Sequence, residues 1–364
     1  RAPDRAETIL KSLLKDNPRD LEARQLLMQL YLRFGRRDDA EAFFQQMYAA
    51  TPKDRDVLTM GVILYRQLGD DENFARYSEE LLLNEPPSQQ RDHALARLYL
   101  STSRLQDAAD ALDRVLLADE VEALPTVMQD VGNTWMAMDK PEQAARRFHE
   151  MMRRFPEQGA DLSYQLAYLY YQNNDPQRYE AELQNLLKIW PDYAPANNDL
   201  GYKWADEDRN LEQARDMIHK AIQADPESGA YWDSMGWVEY KLGNFQEALQ
   251  WLSKAAESEE GGNPVVRNHL GDALYRAGKP KLALQEWRLA QKALEEFERN
   301  LKAQGTTFEE VNATDMIALR TELPAKITAV ENDQPAPVAG APAPAPGSEP
   351  ASEPAPGSEP AENA

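Results

Sequence analysis

The side chains of this 364-residue chain that could carry catalysis or bind a metal are four histidines and a few carboxylate clusters. His93, His149, His219 and His269 are far apart, so the i, i+4 spacing that puts two imidazoles on one metal is missing. Asp206, Glu207 and Asp208, and Glu257, Glu259 and Glu260, fall where helical periodicity breaks. An exposed turn gives a carboxylate pair no environment to drive its two pKa values apart, so these clusters read as solvated loops. The sequence has no cysteine, which excludes disulfides, thiolate metal sites and cysteine nucleophiles and fits either a reducing or an oxidising compartment. GxGxxG, GxxxxGK, HExxH and GxSxG are absent. The expectation is a non-enzyme with no cofactor and no metal.

Charge narrows the partners. Sixty-two acidic against 40 basic residues leave a net charge of −22, which repels polyanions and argues against nucleic acid. No segment approaches the roughly 18 consecutive apolar residues of a membrane span, and none has the layout of a signal peptide. The chain starts at Arg1 without an initiator Met, so it is expected to be a fragment or a processed product.

The elements that position these side chains follow from periodicity. Ala6, Ala40, Phe74, Ala108, Ala144, Tyr179, Ala214, Ala248 and Ala283 recur at intervals of 34, 34, 34, 36, 35, 35, 34 and 35 residues. Large residues at three- and four-residue spacing, such as Leu27, Tyr31 and Phe44, give each helix one apolar stripe. Small residues pair at helix crossings (Gly132 with Ala144, Gly201 with Ala214, Gly236 with Ala248, Gly271 with Ala283). Pro18, Pro52, Pro86, Pro156, Pro191 and Pro226 end second helices, because proline cannot continue one. Phe74 and Tyr179 replace the small residue, so their repeats are expected to pack more openly or to shift register. Gly261 and Gly262 predict a flexible turn.

The run Trp232, Met235, Gly236, Tyr240, Gly243, Ala248, Leu252, Ala255 resembles the tetratricopeptide repeat, with its Trp, Leu-Gly, Tyr and Ala signature. The resemblance covers roughly residues 6 to 290. It implies an all-α, right-handed superhelical solenoid of stacked helix-turn-helix units. The expected organisation is a half-repeat over 1–20, eight repeats over 21–302 with an extended last helix, and a capping or linker segment over 303–333 with helix near 308–319 and 324–330. A disordered Pro/Ala/Ser/Glu-rich tail is expected over 334–364, because that composition cannot bury enough surface to offset its ordering entropy.

The resemblance also implies a concave groove lined by the second, fifth, ninth, twelfth and thirteenth positions of each repeat. Carried over repeat by repeat, these are Arg33, Arg66, Arg97 and Asn133 in the N-terminal part, with His93 beside them. Farther along they are Tyr164, Tyr168, Tyr171, Asn198, Tyr202, Asp233, Trp237, Tyr240, Asn268, Asp272 and Tyr275. Tyr and Trp offer large contact area at low entropic cost, which suits an extended peptide or a partner helix, although aromatic stripes at helical spacing also serve as core. The lysines of a carboxylate-clamp groove are missing beside Gln129 and Asn133, which disfavours chaperone C-termini.

The stretch from Asn197 onward resembles the C-terminal repeats of a bacterial tetratricopeptide group of envelope-associated or soluble interaction proteins. The expected function is thus a scaffold or adaptor for a protein or peptide partner, cytoplasmic or on the periplasmic side of a bacterial envelope. The alternative is a non-catalytic module of a larger enzyme, or of an envelope-assembly lipoprotein. Self-association through the open N-terminal half-repeat is a further expectation.

Overall fold

A computed structural model describes residues 2–311 and 313–339, so the expected tail lies outside the described residues except for its first six. The described residues form α-helices joined by short turns, without a strand, and divide into two units, Arg1–Phe155 and Pro156–Ala364.

Unit 1 begins with α1 (Ala2–Asp16) and continues as four antiparallel pairs. These are α2 (Leu21–Arg33) with α3 (Arg37–Ala50), α4 (Arg55–Leu68) with α5 (Asp71–Leu83), α6 (Gln89–Ser101) with α7 (Leu105–Leu116), and α8 (Leu124–Ala137) with α9 (Pro141–Arg154). Its core places Phe44 against the rings of Tyr65 and Tyr77 at 5.7 and 4.8 Å. Glu7 joins α1 to the first pair by accepting from Tyr31 Oη and Arg36, and these bonds, with that of Lys11, lower its pKa to about 2.

Unit 2 repeats the arrangement in α10 (Gly159–Gln172) with α11 (Pro176–Ile189), and α12 (Ala194–Asp206) with α13 (Leu211–Ala224). The pairs α14 (Gly229–Lys241) with α15 (Phe245–Glu257), and α16 (Pro264–Arg276) with α17 (Pro280–Ala303), follow. A last helix, α18 (Thr314–Glu331), packs on α16 and α17. It runs as one continuous helix through the region where a short capping helix near 308–319 and 324–330 is expected. Pro324 is inside it but exposed, and the anchoring of Leu319, Leu323 and Ile327 in the core offsets the lost backbone hydrogen bond.

One backbone feature explains the period. Each pair turns through a residue of positive φ, in order Gly35, Gly69, Ser103, Asp139, Asn174, Asp208, Gly243 and Gly278. The next N–H then bonds back to a carbonyl five residues earlier, as Asp70 does to Tyr65 and Asn244 to Glu239. This left-handed closure satisfies helix-end carbonyls and suits Gly, Asn and Asp. Asp20, Asp54, Asp70, Ser88, Asp175, Ser228 and Asn263 cap the N-termini of the following helices.

Close approach at the crossings is real: a Cβ added to Gly236 would lie 2.4 Å from Leu252 Cγ. Tyr179 stays half-buried and sends its hydroxyl to Asp199 on α12, and Phe74 lies under the Arg66 guanidinium at 4.9 Å. Gly261 is buried in a 3-10 turn, where an added Cβ would meet the Ala256 carbonyl, so this turn is packed rather than loose.

Candidate functional site

The first helices of unit 2, α10, α12, α14 and α16, line up the side chains that the resemblance assigns to a groove. Asn198, Asp233 and Asn268 hold the same place in three successive repeats, and Tyr202, Trp237 and Asp272 hold the place one helical turn later. Side chains one turn apart share a helix face, so the three helices present them as two rows.

At the C-terminal end these rows are engaged by the chain itself. Lys326 of α18 is 1% exposed, and its ammonium lies 2.9 Å from both Asn268 Oδ1 and an Asp272 carboxylate oxygen. Asp272 also accepts from Trp287 Nε1 at 2.9 Å. An ammonium in such a place requires this complete set of acceptors, since a buried unpaired charge costs several kcal/mol or more. Burial raises the Asp272 pKa, with Lys326 acting against that rise.

One repeat earlier, Asp233 accepts from His269 Nδ1 at 3.0 Å, with both side chains buried. Trp237 stacks on the His269 ring at 4.1 Å and on Tyr240 at 4.9 Å, and its Nε1 donates to Asp206. Burial works against the His269 imidazolium, but Asp233, with Asp272 and Asp206 beyond, outweighs it and raises the pKa.

Residues 334–339 run across the same wall. The Tyr240 hydroxyl donates to the Ala339 carbonyl at 2.6 Å, and the Ala336 N–H donates to Tyr275 Oη at 2.9 Å. Two tyrosines from successive repeats therefore grip the main chain of this segment, one as donor and one as acceptor.

A cavity of about 600 Å³ lies on the N-terminal side of this occupied stretch, between α10, α12, α14 and the start of α18. Tyr168, Tyr171, Tyr179 and Tyr202 supply its aromatic surface, and Asp199, Asp206 and Asp315 supply carboxylates. Tyr168 and Tyr171 stack at 6.0 Å. Asp199 accepts from Tyr164 Oη at 2.8 Å and Tyr179 Oη at 3.2 Å; burial raises its pKa, and these hydrogen bonds act against the rise without reversing it. Asn198 is 9% exposed, its Nδ2 faces Asp199, and its Oδ1 is buried without a hydrogen-bond partner among the described residues.

The structure thus gathers Tyr164, Tyr168, Tyr171, Asn198 and Tyr202 around one cavity region, and Asp233, Trp237, Tyr240, Asn268, Asp272 and Tyr275 around the C-terminal segment. In unit 1, Arg33, Arg66, Arg97 and Asn133 are exposed on α2, α4, α6 and α8; Asn133 accepts from Gln129, and His93 pairs with Asp130 at 2.8 Å. Sequence reasoning passed over Asp199, Asp315 and Lys326. Lys326 had a signal: it interrupts the apolar stripe Leu319, Leu323, Ile327 at helical spacing. Among the described residues no helix is long and apolar enough to cross a membrane, and no group of three or more His, Cys, Asp or Glu could hold a metal ion.

Comparison with known proteins finds the repeat in two stretches of the chain. Residues 1–60 and 205–264 each match the tetratricopeptide repeat family. A TPR repeat-containing protein of Pseudomonas aeruginosa is 29% identical over 175 residues, which are 48% of this chain. The chain spans 29% of that relative's length. Among solved structures, MamA from Desulfovibrio magneticus is 16% identical with a TM-score of 0.39, covering 49% of this chain and 98% of its own. A tetratricopeptide repeat protein from Parabacteroides merdae is 13% identical with a TM-score of 0.39, covering 66% and 93%.

Proposed function

We propose that this tetratricopeptide repeat protein is an interaction scaffold that holds a partner segment on the first-helix wall of unit 2. The observation that carries the reading is intramolecular. The wall already holds a helix through Lys326 and a non-helical segment through Tyr240 and Tyr275, so its chemistry suits both a helical and an irregular peptide. A preformed wall of packed helices also lowers the ordering cost of binding. No catalytic step is assigned to the chain.

Photocrosslinking tests this. Tyr168 is 46% exposed in the cavity wall, whereas Glu247 lies on the second helix α15. With p-benzoylphenylalanine at position 168 in cells that make the protein natively, discrete protein adducts are expected, and position 247 should give none of the same species. Identical adducts from both positions, or none from 168, would overturn the assignment.

A further inference from the structure

We propose that the cavity around Asn198 is a receptor for a cationic side chain, lysine or arginine, presented by the partner segment. This rests on the scaffold reading and adds the chemistry of the ligand to it.

The argument starts from the row that Asn198 shares with Asp233 and Asn268. In the last of the three repeats the row oxygen receives the Lys326 ammonium, and in the middle one it receives His269. Both partners are nitrogen donors that carry or can carry positive charge. In the first of the three, Asn198 Oδ1 is buried without a donor among the described residues. A buried amide oxygen left in this state is destabilising, because it has given up its water and gained no hydrogen bond in return. Its Nδ2 is directed at the Asp199 carboxylate, so turning the amide over would set oxygen against oxygen.

The surroundings select the charge of the missing donor. Asp199, Asp206 and Asp315 face the cavity, while the lysine at its rim, Lys203, is engaged by Glu207. Among the described residues the Asp199 hydrogen bonds come from neutral groups, which leaves its carboxylate without a cation in a buried place. Tyr168, Tyr171 and Tyr202 add aromatic rings, whose faces attract a desolvated cation. An anionic segment would be repelled by Asp199, Asp206 and Asp315, and an apolar one would leave both the Asn198 oxygen and Asp199 unanswered.

The probe is a fluorescein-labelled hexapeptide of alternating lysine and alanine, followed by anisotropy against the full chain, with its glutamate counterpart as control. Saturable binding of the lysine peptide alone is expected. Because the chain is strongly acidic, charge-conserving and remote variants decide the site. Asn198→Leu changes no charge, and Ala230→Arg, from an exposed position lining the cavity, places a guanidinium there in cis. Each should weaken binding roughly tenfold or more, the loss of one charge-assisted hydrogen bond. Asp119→Asn, an exposed residue of unit 1, should change it less than about twofold. A weakening by Asp119→Asn equal to that of the cavity variants, or unchanged binding in Ala230→Arg, would overturn the proposal. If the lysine peptide fails while adducts still form at Tyr168, the cation inference falls and the scaffold reading stands; if both fail, both fall.

Discussion

Lys326 Nζ lies 2.9 Å from Asn268 Oδ1 across 58 residues of sequence. A helix after the last repeat thereby enters the wall that the repeats build. The contact ties the C-terminal helix to the rows of side chains that form the candidate site.

Removal of that ammonium should release α18. Lys326→Ala leaves Asp272 buried without its cation, a change worth about 3–5 kcal/mol. Hydrogen exchange across residues 314–331 is expected to accelerate well beyond that of α12 and α13. Unchanged protection would mean that Leu319, Leu323 and Ile327 hold the helix alone.

His269 sets a dependence on pH. Its pKa is raised in the folded state, so its contribution to stability is fully present below its ordinary value of 6.5 and is lost as pH rises through the folded value. The melting temperature should decline as the pH rises above about 6.5, and His269→Gln should flatten that decline. An identical slope in the variant would remove His269 as the cause.

Asp199 makes the opposite test, because a carboxyl with a raised folded pKa disfavours folding once it ionises. Asp199→Asn is expected to raise the melting temperature at neutral pH, with a gain that shrinks as the pH falls toward about 4. The same variant should weaken lysine-peptide binding. A stability deficit at pH 7 would contradict the reading of Asp199 as a costly group kept for binding.

Ser103 stands at φ +58° where four of the eight turns have glycine. A left-handed residue with a Cβ costs roughly 1–2 kcal/mol, part of which glycine returns as unfolded-state entropy. Ser103→Gly should therefore stabilise the chain by up to about 1 kcal/mol in urea denaturation. Destabilisation would show that the Ser103 side chain makes a contribution of its own.

Features that repeat locally are legible in the residues alone. Gly35, Gly69, Gly243 and Gly278, and the Asn and Asp at equivalent turns, are readable because φ above zero restricts residue type within a single turn. The apolar stripes and the glycine opposite Leu252 are readable because helical packing recurs with the period. Tertiary structure alone decided how the wall is used. The residues expected to bind a partner were legible as a set, yet Asn268, Asp272, Tyr240 and Tyr275 are engaged by Lys326 and residues 336–339, which lie beyond the repeats. No period relates a lysine on α18 to an asparagine on α16, so no spacing announces their contact. The buried Asn198 and Asp199 were hidden for a related reason: desolvation depends on which rings close over a side chain from neighbouring helices, and that is fixed only when the helices pack.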